Sequence, residues 1–555
     1  MESRVEEILR QASLALGQRT NLLNLWQSIA DNFYPERADF TEDHTEGEEF
    51  ADHLFGSYPV LARRELGNLF GTMLRPRSLK WFSLHLADDK ADKVLPVRSY
   101  LEYLDGVQWR AMYDPVAQFV NATKAADHDY AAFGNTVLEA FLSKDRTHLV
   151  HKTHHLRDCA WSENYEGEID TLYRECSPTA RQLVSEYPDK VSSDTKKLLK
   201  DNPERTVKCI QAVIPERNYS PDPDKKSRKI KPWTVFYIEK ENKNVLEEVG
   251  EDWFRYCVPR WHKVTGTPYA RSPATEVVLP DARTFQVVVR TLREAGELHV
   301  NPPMLGVTEA LRSDVMAYPG GLTAVDIEYD GDLKNVLAPL TQDSRSMPIG
   351  FEIAAALRDD IRLGFFLDKI KLPDVNARQM TAYEVSKRLE EHIRSASPLF
   401  EPIEDEYNAR ICNLDFSILQ FYGAFGRPED APEELNGANV EFKIRSPLRE
   451  VQDQAKAGVF GDGLERIIVP AMQLDPAQVA NVNITQSVRD SLTGLGWSAE
   501  WLNPVEAVEA AQEAQQQKQE MGENIETMRQ GGEAGRAVGG AAELMQSGMG
   551  EGEQG

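Results

Sequence analysis

The chain is 555 residues long, 41% hydrophobic and 27% charged, a folded-protein composition too long for one ordinary core. No apolar run approaches the roughly 20 residues of a membrane span, and the acidic opening MESRVEEILR argues against a secretory leader. With 89 acidic against 63 basic residues the formal net charge is −26, which disfavours general tight binding to a nucleic-acid backbone.

The N-terminal third reads mostly as helix. Leu22, Leu25, Trp26, Ile29 and Phe33 fall at i, i+3, i+4, i+7 and i+11, one helix face that Pro35 ends. Leu66, Leu69, Phe70 and Met73 make a second such face. From about Trp161 to Trp261 the pattern turns mixed, and EIDTLYRE, KCIQAVIP and WTVFYIEKE read as strands. The polar NYSPDPDKKSRKIKP between two of them predicts an exposed turn, with Lys225, Lys226, Arg228, Lys229 and Lys231 as a solvated hairpin tip.

Next, LPDARTFQVVVRTLREAGEL predicts a helix capped by Asp281, with Phe285, Val288, Val289, Leu292 and Ala295 on its apolar face. A Pro- and Gly-rich insert of about fifty residues follows and is no single helix; its TAVDIEYDG run suggests a small strand. Helical spacing resumes through Ile353, Leu357, Ile361 and Phe365. FFLDKIKLPDVNARQM then breaks the pattern with a proline, an asparagine and basic residues, and Thr381 with Glu384 forms a capping box that restarts a helix. Two helices bracketing an insert form a rod with a head at one end. From Pro504 the chain is strongly helix-forming, and its Gly-rich end is expected to be disordered.

Catalytic patterns are scarce. GxxxxGK[ST], HExxH and GxSxG do not occur, so a Walker-type phosphate cradle, a zincin helix and a nucleophile elbow are not expected. Cys159, Cys176, Cys209, Cys257 and Cys412 are scattered without a CxxC, which fits a reducing compartment and neither a disulfide framework nor a structural zinc site. In HLVHKTHH, His151 and His155 stand at i, i+4 as metal ligands on a helix would, with His148 and His154 beside them. No cysteine or spaced carboxylate completes that set, so a solvated or partner-facing segment is the expectation. A metal-dependent hydrolase using His148–His155, and a scaffold or adaptor without a channel, are the competing readings. The residues alone describe an α+β protein with no catalytic constellation, no metal and no cofactor.

An ordered series of segments resembles the head-to-tail connector, or portal, family of short-tailed bacteriophages. LWQSIADNFYPERADF, with Trp26 and Pro35, is similar to the family's opening helix, and RRELGNLFGTMLRPRSLKWFSL, with Trp81 and Phe82, to its next block. DYAAFGNTVL and YEGEIDTLYRECSPTARQL follow. YCVPRWHKVTGTPYARSPATEVVLPD is the most specific piece, through Pro259, Arg260, Trp261, Tyr269, Arg271 and Pro273, with Ala270 where the family usually has Gly. VNPPM, MTAYEVSKRLEE and RSPLREVQ continue in family order, so the resemblance spans about residues 20 to 500.

That resemblance implies a portal-type fold. Residues 1–278 would be the wing, 279–298 and 347–366 the stem helices, with Phe285, Val289, Leu292, Ile353, Leu357 and Ile361 in the stem. Residues 299–346 would be the clip, and 367–379 a channel loop carrying Lys369, Lys371 and Arg378. Residues 380–475 would form a long helix and return to the wing, 476–529 a helical crown and 530–555 a disordered tail. It further implies a non-enzymatic ring of about twelve copies at the capsid vertex of the virion, made in the host cytoplasm. The implied partners are the terminase large subunit, tail adaptor and tail tube proteins, major capsid and scaffolding proteins, and double-stranded DNA in transit without sequence preference, with no membrane.

Overall fold

The computed structural model describes residues 2–215 except 44, 46, 78 and 88–93, residues 231–307, 347–370, 403–427 and 440–444, and shorter pieces between 311 and 339 and between 431 and 517. Lys225, Lys226, Arg228, Lys229, Lys371, Arg378, Thr381, Glu384 and the tail at 530–555 lie outside the described residues. The chain divides into two compact units. One comprises Met1–Ala87, Leu101–Glu433 and Gly437–Gln452, the other Asp88–Tyr100, Glu434–Asn436 and Asp453–Gly555.

The first unit begins with α1 (Glu2–Gly17), α2 (Thr20–Phe33) and α3 (Tyr58–Leu74). α2 ends at Phe33, before Pro35, and buries Trp26, Ile29 and Phe33 as its spacing predicts. α3 buries Leu66 and Phe70, with Leu69 and Met73 packed at the margin of the same core. β1 (Phe82–Leu86) follows; α4 (Leu95–Met112) has its first residues in the second unit, and α5 (Phe119–Phe133) returns to the first.

Strands begin earlier than about residue 160. β2 (Val137–Leu142) and β3 (Leu149–His154) pair antiparallel, with β9 (Tyr256–Cys257) on the other edge of β2. The five-stranded antiparallel sheet runs in order through β4 (Cys159–Glu163), β5 (Ile169–Cys176), β6 (Cys209–Pro215), β7 (Trp233–Glu239) and β8 (Asn244–Glu251). β5, β6 and β7 lie where the alternating runs place them. Helices α6 (Ala180–Glu186) and α7 (Ser193–Asp201) interrupt the strand series between β5 and β6. All seven residues of β6 are buried because both sheet faces are covered. α1 sets Val5, Ile8 and Ala12 against Ile210, Ala212 and Ile214, while Val213 faces the main core. Lys231, expected at a solvated tip, pairs with Asp252 beside β7.

The two long helices bracketing the insert are α8 (Leu279–Val300) and α9 (Met347–Gly364), within two residues of the expected ends. In the insert, β10 (Met304–Gly306) and β11 (Leu337–Pro339) pair antiparallel. TAVDIEYDG lies mostly outside the described residues. After α9, residues expected to open a loop instead form the short α10 (Leu367–Ile370). α11 (Arg410–Phe421) and β12 (Val440–Ile444), which pairs with β1, complete the unit. In the second unit, α12 (Ile484–Gly494) is followed by Trp497 and Trp501, whose ring centroids lie 5.7 Å apart. No helix among the described residues is long and apolar enough to cross a membrane.

Asp281 does not cap α8. The helix is entered earlier, where the Ser272 hydroxyl accepts from the Thr275 N–H at 3.2 Å and Pro273 occupies the first turn. Residues Ala274–Val278 form a widened π turn in which the Leu279 N–H bonds the Ala274 carbonyl. Pro280, which has no N–H to give, follows at once, and an inserted residue is one way a helix absorbs it.

Candidate functional site

Several of the residues that carry the sequence motifs meet at the base of the α8–α9 pair. The two helices run antiparallel, since Gly350 abuts Leu292 and Gly364 abuts Val278. A Cβ on Gly350 would stand 2.7 Å from the Leu292 side chain, so glycine there lets the helices close. Phe285 is buried, and Val289, Leu292 and Leu357 pack on the same core as buried Ile361. Ile353, expected in that seam, is 46% exposed. Steps of four residues run about 40° past each full turn, so a 353–357–361 stripe drifts across the helix. Ala354, which is buried, takes the inward place.

Below the pair, Phe365 meets Phe33 of α2 edge-on with centroids 5.4 Å apart. Phe366 has φ 55°, in the left-handed region that costs a bulky residue, and its ring stacks on Trp261 at 6.5 Å. Lys369 extends over the same Phe366 ring, its Nζ 5.5 Å from the centroid. The described start of the basic segment is therefore tied to Trp261. Trp261 in turn packs against Phe70 at 5.5 Å and Tyr130 at 5.4 Å, and Tyr130 against Tyr407 at 5.7 Å.

Of the other motif residues, Trp26, Trp81 and Phe82 belong to the same hydrophobic core, and Tyr269 packs against it. Arg260 is 3% exposed; it pairs with Glu163 and with Glu406 at 2.9 Å and donates to the Gly167 carbonyl at 3.2 Å. Trp26 is buried against Phe40, Phe133 and Tyr269. Pro35, Trp81, Phe82, Pro259 and Pro273 are buried, and the Trp81 indole donates to Tyr113 Oη at 2.9 Å. Arg271 has an exposed side chain; its backbone exchanges hydrogen bonds with His262.

Sequence reasoning missed the polar centre of this base. Arg75, at the end of α3, is buried; it pairs with Asp127 of α5, donates to Asn408 Oδ1 at 2.8 Å and lies 4.5 Å over the Tyr407 ring. Burial opposes the charged guanidinium, and the Asp127 carboxylate more than restores it, raising its pKa. Residues Glu404–Ala409 form a second π turn, which presents Glu406, Tyr407 and Asn408. An aromatic beside a polar residue in an amphipathic segment is the faint signal that could have marked Tyr407–Asn408.

The histidine run is neither helical nor solvated. It runs from the bend before β3, which holds His148, through β3 to the turn after it, and His151 and His154 are buried. His154 Nε2 donates to the Glu139 carboxylate at 2.7 Å, and His155 lies 2.6 Å from Asp39. His148 contacts Thr147 Oγ1 at 2.9 Å. Burial lowers the His154 pKa. Burial likewise opposes the Glu139 carboxylate, yet His154, Arg174 and Arg255 hold it well below the usual range. Among the described residues no group of His, Cys, Asp and Glu is arranged to hold a metal.

His151 has acceptors at both ring nitrogens, the Ala117 carbonyl at 3.1 Å from Nδ1 and Asp415 at 3.0 Å from Nε2. Only the doubly protonated ring donates to both. Burial disfavours that charge, but Asp415 and then Ala117 outweigh it and raise the pKa. The stabilisation is complete below the unfolded value of about 6.5 and fades as pH rises through the higher folded value. Between about pH 6 and about pH 9, thermal midpoints of the parent should therefore fall relative to those of His151→Gln. Parallel curves would refute the charged pair.

The comparisons with known proteins agree with this arrangement of motifs. The family described as bacteriophage head to tail connecting protein matches residues 5–502. The chain belongs to that family. A probable portal protein of Bordetella phage BPP-1 is 26% identical over 453 residues, covering 78% of this chain and 77% of the relative. The portal protein of Salmonella phage epsilon15 is 24% identical over 465 residues, covering 81% and 80%. This connector chain is thus a structural protein of the head-to-tail junction rather than an enzyme. The hydrolase reading of His148–His155 falls with the burial of His151 and His154 among protein partners.

Proposed function

We propose that about twelve copies of this connector close into a ring at one capsid vertex, forming the channel through which DNA is packaged, retained and ejected. The surface of the α8–α9 pair supports this reading. Ile349, Phe351, Ile353 and Leu363 of α9 are 59%, 58%, 46% and 54% exposed, and Val287 of α8 is 63% exposed. A two-helix rod that leaves such large apolar groups outside is incomplete alone, and neighbours on both sides cover it. The pair is then the stem, residues 299–346 the clip, 367–379 the channel loop and 476–529 the crown, with 1–278 as wing and 380–475 returning to it. The clip would meet the terminase large subunit and later tail adaptor or tube proteins, and the outer surface the capsid and scaffolding proteins.

A conduit works best when it does not grip its cargo, because each strong phosphate contact adds a barrier to sliding. In a chain of net charge −26 the wall would repel DNA. Lys369, Lys371 and Arg378 would add a few weak contacts, repeated around the ring and offset by Asp368 and Asp374.

Native mass measurement with negative-stain imaging tests the ring: annular particles of about 0.75 MDa are expected, against 62.6 kDa for one chain. A preparation that stays a single compact chain under assembly conditions sinks the proposal. In rings that package DNA, neutralising Lys369, Lys371 and Arg378 together should alter DNA retention, and unchanged retention removes the loop's electrostatic role.

A further inference from the structure

The two flanks of α9 are chemically different. Its inward seam is Gly350, Ala354, Leu357 and Ile361, with Ala354 and Ile361 buried and Gly350 against Leu292. At about 100° per residue, Ile349, Ile353 and Asp360 project to one side of that seam and Phe351, Ala355, Arg358 and Arg362 to the other. All seven are exposed. One flank is thus aliphatic with an acid, the other aromatic with two bases. Arg358 leans over the Phe285 ring at 5.6 Å, and among the described residues Arg358, Arg362 and Asp360 make no ion pair.

We propose that α9 packs alongside α9 of the next copy, acidic flank to basic flank. This contact rests on the ring reading above. A rotation about a ring axis leaves every atom at its own height, so for a helix running along that axis each residue meets a neighbour's residues of similar number. The two flanks match level by level under that rule. Ile353 seats against Phe351 and Ala355 of the next copy, and Asp360 pairs with its Arg358 and Arg362. A two-fold dimer would instead set each flank on itself, arginines against arginines, which electrostatics opposes. The same mismatch makes the contact head-to-tail and allows it to close.

Oxidative crosslinking of the full-length double variant Ile353→Cys/Ala355→Cys tests the contact. The two thiols point to opposite sides of one helix and cannot join within a chain. The expected result is a ladder of covalent multimers ending at the closed ring, while the parent with its five native cysteines gives none. Either single variant alone should stay monomeric in denaturant. Dimers from Ile353→Cys alone, or annular particles that give no ladder, overturn the proposal. Failure of the parent to form annular particles overturns the ring reading instead, and this contact with it. As a second measurement, Asp360→Arg should reduce annular particles by about tenfold or more. Adding Arg358→Asp and Arg362→Asp should recover them, and no recovery counts against the charge pairing.

Discussion

Replacing Arg75 by methionine should destabilise the first unit by about 3–5 kcal/mol, read as a fall of roughly 3–6 °C in its thermal transition. Arg75 is 6% exposed overall and its guanidinium is nearly sealed from water, between Asp127, Asn408 and Tyr407. Methionine fills much of the same volume, so the packing loss is small. What remains is the Asp127 carboxylate, buried and stripped of its counter-charge. Breaking one side of a buried pair is costly for that reason, whereas removing both charges together is far less so. The double variant Arg75→Met/Asp127→Asn should therefore recover more than half of the loss. A single variant costing less than about 1 kcal/mol, or a double variant no better than the single, would show that the pair is hydrated or dispensable.

Gly134→Ala should be comparably damaging, on the order of 3 kcal/mol. Gly134 ends α5 at φ 71°, with its N–H on the Tyr130 carbonyl at 2.9 Å. An added Cβ would stand 2.6 Å from the Arg271 carbonyl carbon and 2.7 Å from the Ser272 nitrogen. Those are backbone atoms of the turn where Ser272 starts the path into α8, and they have no rotamer through which to yield. The substitution thus combines a left-handed backbone with a clash at the entrance to the helix pair. Thermal denaturation of the variant beside Gly266→Ala, where φ is 91° but nothing lies within 4 Å, separates the two costs. Equal losses at the two positions would mean that backbone conformation alone matters and that the close approach of α5 to residues 271–272 carries no weight.

Much of this architecture was legible because it is written locally. Trp26, Ile29 and Phe33 recur at helical spacing and are buried as a face. β5, β6 and β7 follow alternating or continuously apolar runs. The helix pair was found within two residues of its ends, since Pro- and Gly-rich sequence bounds it. Errors arose where a local signal had two meanings. His151 and His155 match a helical ligand spacing, but β3 pairs with β2 along its whole length and places His151 opposite Ala140. Asp281 is a good capping residue in type, yet Ser272–Pro273 opens the helix first.

By itself, the amino-acid order determined the family, through motifs in order along the chain, and the acidic character, through composition; it also marked the apolar stripes of several helices and strands, because a stripe depends on neighbours within a turn or two of chain. Only the tertiary structure decided which stripe faced inward. A seam of Gly350 and Ala354 admits Leu292, and Ile353 is left outside. Folding likewise brought Arg75 to Asn408 across 333 positions and His151 to Asp415 across 264. No local pattern encodes such a partner. A buried charge is stable only beside its counter-charge, and which residues meet there depends on how whole helices and sheets close-pack.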